Sequence, residues 1–232
     1  MGALASNAIG NRLKEFMRYA ELKQLAYNIA ALQQEKRFHS LAVLSYFPGE
    51  GKTLLCAALA MAYVETCQAR VLVVDTTTLQ NKKSLVLKQC LATSLPMVDV
   101  MTLEQVRSAT NGLDPHPSPK VHAPQAPVVE PEIVESRSIR VPLPSVNDFS
   151  LLKKVVEDRF QEYGLVLLDT APLSAKNKSN IDPLLVARLS DASAFVVSRK
   201  LLESHEVNDC LKVLDDPTLH LIGMVANEEI SQ

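Results

Sequence analysis

Five short runs of this 232-residue chain are almost wholly apolar: Ser40–Ser45, Val71–Val74, Leu165–Leu168, Ala194–Val197 and Leu221–Val225. A strand with one wet face alternates apolar and polar residues, so runs that do not alternate belong to strands buried on both faces. Between them lie stretches of helical composition: Lys52–Cys67, Asp148–Tyr163, Ile181–Leu189 and Glu203–Leu214. Strand alternating with helix builds βαβ units, which assemble into an α/β, doubly wound, mainly parallel sheet with helices on both faces. Ahead of the first strand, from Arg12 to Arg37, Leu13, Phe16, Met17, Ala20, Leu25, Ile29 and Leu32 recur every three or four positions. This spacing predicts an amphipathic helix whose apolar stripe docks on a neighbour. The expected organisation is therefore a helix within 1–38 followed by one α/β domain over 39–232.

Proline marks the exception. Eight of the 13 prolines fall between Asp114 and Pro144, in runs such as Pro115-His116-Pro117-Ser118-Pro119. Proline removes backbone donors and restricts the residue before it, so 114–144 reads as an extended or disordered insertion with at most a short strand at Ser138–Val141. A surface spacer is favoured over a ligand for a proline-recognising partner.

Composition excludes several classes. With 24 Lys+Arg against 26 Asp+Glu the net charge is −2, so no general attraction to nucleic acid or anionic lipid exists and no nucleic-acid partner is expected. Cys56, Cys67, Cys90 and Cys210 form no CxxC pair and read as free thiols of a reducing compartment. No charged segment leads into an apolar leader, and no apolar run approaches the roughly 18 residues of a membrane span. A bacterial-type cytoplasmic protein is expected. Met1-Gly2 with Ser6 fits a myristoylation pattern, a reading that requires a eukaryotic host. The five histidines are scattered without metal-ligand spacing.

The chemistry concentrates after the first strand. Ser45-Tyr46-Phe47-Pro48-Gly49-Glu50-Gly51-Lys52-Thr53 leads into Leu54-Leu55-Cys56-Ala57-Ala58, an excellent helix start. Backbone N–H groups of a glycine-bearing turn, with the positive end of a helix behind them, surround a phosphate. Pro48, Gly49, Glu50, Gly51, Lys52, Thr53 and Leu54 are the candidate nucleotide-binding residues, with Lys52 neutralising β/γ charge and Thr53 holding Mg²⁺. The strict pattern has glycine five positions before Gly51, where this chain has Tyr46, so the loop is a variant. Two further strands end in acids, Val71–Val74 in Asp75 and Leu165–Leu168 in Asp169. Carboxylates at strand tips beside such a loop can organise magnesium and water.

In order and spacing, Pro48–Thr53, Val71–Asp75 and Leu165–Pro172 resemble the Walker A, A′ and B motifs of bacterial tyrosine kinases (BY-kinases). These are cytoplasmic partners of membrane-embedded, Wzz-like polysaccharide chain-length regulators, within the MinD/ParA-related P-loop ATPases. Glu21–Ile29 resembles the helix through which the family assembles rings, Asp191–Arg199 and Leu221–Asn227 resemble its later core, and Asn227 would lie near the adenine. The resemblance implies a P-loop NTPase-type fold, ATP/ADP and Mg²⁺ as cofactors, a possible homo-oligomer, and attachment to the inner membrane through a partner. It also implies Lys52, Asp75 and Asp169 as catalytic residues, with Thr53, Asp75 and Asp169 as metal-organising ones.

The departures matter as much. The family has a second aspartate two positions after the first and then an arginine; this chain has Thr77 and Leu79. A hydroxyl cannot take a tyrosine proton or bring formal charge to magnesium, so phosphoryl transfer should be weakened more than nucleotide binding. The family's C-terminal tyrosine cluster is absent from Val225–Gln232, the last tyrosine being Tyr163 on an expected core helix, and Ala26 stands where the family has arginine. The expected function is an ATP-binding regulator of exopolysaccharide or capsule polymerisation or export, with its kinase step weakened or acting on another protein. Alternatives are a MinD/ParA-type positioning ATPase, whose signature lysine would stand at Phe47, and a nucleotide-binding pseudokinase adaptor.

Overall fold

The computed structural model describes residues 20–77, 91, 96–103, 105–106, 152–154, 157, 162–175 and 180–227. The proline-rich segment 114–144, with the strand expected at 138–141, lies outside the described residues, as do 1–19 and 228–232.

Among the described residues six strands form one sheet: β1 (Ser40–Ser45), β2 (Val71–Asp75), β3 (Val98–Thr102), β4 (Leu165–Asp169), β5 (Ala192–Ser198) and β6 (Leu221–Asn227). Their order is β3-β2-β4-β1-β5-β6, and every neighbouring pair is parallel. The expected parallel sheet is borne out, every described pair being parallel, and β1, β2 and β4 are buried along their whole lengths, as uninterrupted apolar runs require. β3 is the strand that apolar continuity does not reveal. It lies at the sheet edge, its sequence Val-Asp-Val-Met-Thr carries an acid, and only Val98 of its residues is fully buried.

Two apolar layers cover the sheet. Leu41 and Val43 of β1 face one with Val71, Val73, Leu165 and Leu167, while Ala42 and Leu44 face the other with Val166 and Phe195. The first layer is roofed by α2 (Lys52–Cys67), with α1 (Ala20–Lys36) packed outside it through Leu22, Ala26 and Ile29. The second is covered by α3 (Pro183–Leu189) and, beyond the single turn α4 (Arg199–Leu202), by α5 (Val207–Leu214). α3 begins on Asp182, whose carboxylate accepts from the Leu184 N–H, and on Pro183, which has no N–H to satisfy there. The helix expected over Glu203–Leu214 starts later, at Val207. Of the stretch expected as helix over Asp148–Tyr163 few residues are described, and Tyr163 lies outside any helix, immediately before β4.

The chain leaves β1 toward β2 and β3 on one side, returns through β4, then crosses β1 to β5 and β6 on the other. Loops at the carboxyl ends of β1 and its neighbours diverge there, which is where open parallel sheets hold ligands.

Candidate nucleotide site

The segment between β1 and α2 turns on two glycines in conformations that L-residues avoid, Gly49 at φ +87° and Gly51 at φ +93°. Their surroundings differ. A Cβ on Gly49 would meet nothing within 4 Å, whereas one on Gly51 would stand 2.7 Å from Asn227 Nδ2. One flank of the loop is therefore open and the other is packed against the end of β6.

Lys52 opens α2 and is buried, with Nζ donating to Ser45 Oγ at the tip of β1 (2.7 Å). Burial pushes its ammonium pKa below the usual lysine range, an effect opposed by the charges of Asp169 and Glu50 and more weakly by Cys56. Beside it Thr53 Oγ1 donates to Asp169 Oδ2 at 2.8 Å, across 116 positions of sequence. The two strand-tip acids lie abreast, since Asp75 and Asp169 are register partners on β2 and β4. Thr76 binds the same strand end, its N–H and Oγ1 both donating to the Asp169 carbonyl at 3.1 and 2.9 Å.

Asp75 is turned onto its own loop. Its Oδ1 accepts from the Thr77 N–H at 2.9 Å and from Thr77 Oγ1 at 2.6 Å. Thr77, which stands where the resembled motif has a second aspartate, thus holds Asp75 in place. Asn227 donates from Nδ2 to the Glu50 carbonyl at 2.9 Å, so the structure places it against the loop. Pro48 is exposed, and Leu54 is half-buried against the layer beneath α2. The ring of Tyr46, standing where the strict pattern has glycine, meets Phe47 edge to face with centroids 4.9 Å apart. Burial and the carboxylates of Glu206 and Asp209, with Cys210, raise its phenol. Arg199, at the end of β5, is exposed and pairs with Glu203 at 2.7 Å.

Membership of the loop leaves open which way the Glu50 side chain points. That side chain is 2% exposed and faces into the protein, where Oε2 accepts from the Phe47 N–H at 2.7 Å and Oε1 binds the Ser198 hydroxyl. Charge alone could have signalled this, because a carboxylate facing the phosphates would repel them. Ser45 and Ser198 carried no motif, and only the fold brings them to the loop.

These donors fit magnesium nucleotide. Thr53 and Asp169 supply hard oxygen donors side by side, and no group of three His, Cys, Asp or Glu gathers among the described residues into an all-protein metal cage. Magnesium held through one or two protein oxygens and completed by phosphates and water is the usual arrangement.

No protein-family model matches the sequence, and no curated protein matches it. Solved structures do. The kinase domain of the Escherichia coli tyrosine kinase ETK superimposes with a TM-score of 0.56 at 19% identity, covering 91% of this chain and 75% of that one. The BceF tyrosine kinase domain gives 0.54 at 16% identity over 89% and 76%. The VpsO kinase domain gives 0.54 at 15% identity over 93% and 98%. The chain therefore shares the α/β fold of these tyrosine-kinase domains.

Proposed function

We propose that this chain is an ATP-binding protein of the bacterial tyrosine-kinase type, acting with a membrane-embedded chain-length regulator on exopolysaccharide or capsule polymerisation or export. Its phosphoryl-transfer step is weakened or directed to another protein. The observation that carries the nucleotide half is the 2.8 Å contact of Thr53 Oγ1 with Asp169 Oδ2, at the head of a loop with both glycines at positive φ. The shared fold and the three motifs support the regulatory half. No helix among the described residues is long and apolar enough to cross a membrane, so attachment to the inner membrane would run through the partner.

In this reading the loop N–H groups and the Lys52 ammonium bind the phosphates, Lys52 exchanging its Ser45 partner for a phosphate oxygen. Thr53 and Asp169 hold magnesium, which when bound neutralises phosphate charge. Asp75 organises the metal and is the candidate base, with one of its carboxylate oxygens, Oδ1, held by the N–H and hydroxyl of Thr77. That restraint favours weak transfer, and it also favours the second reading, a nucleotide-binding adaptor without turnover.

Titration with magnesium ADP tests the nucleotide half: wild type binds, and Lys52→Ala binds at least ~10-fold more weakly through loss of a charge-assisted contact. Equal, negligible binding by both would sink it. Phosphate release from ATP, abolished by Asp169→Ala, separates the enzyme from the inert adaptor.

A further inference from the structure

A buried carboxylate inside a loop meant for anions is costly unless it is hydrogen-bonded, and at Glu50 both oxygens are engaged, one within the loop and one by the tip of β5. One closes the turn by accepting from the Phe47 N–H. The other reaches Ser198 at the end of β5, whose Oγ also accepts from the Leu201 N–H at 3.2 Å and so caps the turn α4. The Glu50 backbone is held separately, its carbonyl accepting from Asn227 at the end of β6. Ser198 and Asn227 are register partners, so both attachments come from adjacent tips of one strand pair. Asn227 also fills the space where a Gly51 Cβ would stand, while the corresponding space at Gly49 is open.

We propose that Glu50 and Asn227 are positioning residues, a clamp that ties the underside of the phosphate-binding loop to the tips of β5 and β6. The clamp holds both glycines in their left-handed conformations before ligand arrives. It leaves the N–H groups of the loop's free side available to phosphate. A loop already ordered loses less conformational freedom on binding, so affinity for the phosphate group depends on the clamp. This inference rests on the nucleotide-binding reading and adds how the Glu50 side chain and Asn227 shape the loop that would hold the phosphates.

The test measures calorimetric affinity for magnesium pyrophosphate, a probe of the loop alone, and for magnesium ADP. It compares wild type with Asn227→Ala, Glu50→Ala and Glu50→Gln, each variant melted in parallel. Asn227→Ala and Glu50→Ala are expected to bind pyrophosphate at least ~10-fold more weakly, the scale of a lost positioning contact, with Asn227→Ala melting close to wild type. Glu50→Gln should recover most of the affinity, because its amide can accept from Phe47 and donate to Ser198. A merely structural role predicts affinity that follows the melting temperature and no such recovery. Folded Asn227→Ala and Glu50→Gln proteins with wild-type and Glu50→Ala-like affinity respectively would overturn the clamp. If Glu50→Ala does not fold, wild-type affinity in Asn227→Ala alone overturns it. Failure of the wild type to bind either probe would instead overturn the nucleotide reading.

Discussion

Gly49 and Gly51 look alike in sequence, yet their neighbours make them unequal. Alanine at either must hold a positive φ, a strain on the order of 1–3 kcal/mol. At Gly51 the new methyl would also meet Asn227 Nδ2 at 2.7 Å, whereas at Gly49 the space is open. Gly51→Ala should therefore lower the urea midpoint more than Gly49→Ala; equal losses would mean that Asn227 moves aside freely. Thr77 makes a second residue-scale prediction. Thr77→Asp replaces the hydroxyl that binds Asp75 by a carboxylate abreast of it, restoring the paired acids of the resembled motif. The variant should transfer phosphate from ATP faster than wild type, measured by phosphotyrosine mass spectrometry. Of the described tyrosines Tyr27 is the most exposed, at 57%, and is the expected acceptor among them. No gain over wild type would show that something other than the missing acid limits transfer. Cys210 is 1% exposed, and burial, aided by the Glu50 charge, pushes its thiol up to about 11. At pH 8 roughly one part in a thousand is thiolate, so native alkylation should be slow and unfolding should accelerate it sharply.

At the scale of elements, α1 shows how packing revises a sequence-based stripe. The 3.6 period announces a helix, but the residues it buries are Leu22, Ala26 and Ile29, and Ala20 is exposed. Ala26 is fully buried against the layer that includes α2, so the position where the resembled family has arginine is a packing position in this chain. Ala26→Arg would force an unpaired charge into that contact and should cost about 3–5 kcal/mol or detach α1, read by thermal melting and by proteolysis of the helix. A variant that melts like wild type would show that the helix can roll to release the side chain. β3 is the described strand that the apolar runs do not reveal. Its pairing with β2, Val71 opposite Val98 through Asp75 opposite Thr102, is decided by the neighbouring strand's free edge rather than by its own mixed composition.

For the whole molecule, the consequential fact is the strand order. It seats β1, with the loop at its end, between β4 and β5 and brings together groups from four strand tips: Ser45, Asp169, Ser198 and Asn227. Phe195, fully buried on β5, supports this arrangement from the layer opposite α2. Phe195→Ala should cost about 3–5 kcal/mol by leaving a cavity, measured by chemical denaturation. A much smaller loss would mean that the second layer collapses around the gap.

The loop, its lysine and threonine, the two acids and the helix before β1 are legible in the sequence because each rests on local rules: glycine's conformational freedom, the start of a helix, and the continuity of apolar runs. What no local rule contains is direction across the fold. Glu50 faces away from the open flank of the loop because Ser198 lies beneath it, 148 positions later in the chain. Asn227 meets the loop because β6 pairs with β5, and Thr53 meets Asp169 because β4 pairs with β1. Those neighbours follow from which buried faces and strand edges close together at lowest free energy. That is a property of the packed chain, so tertiary structure alone decides which side of the loop is held and which is left to a ligand.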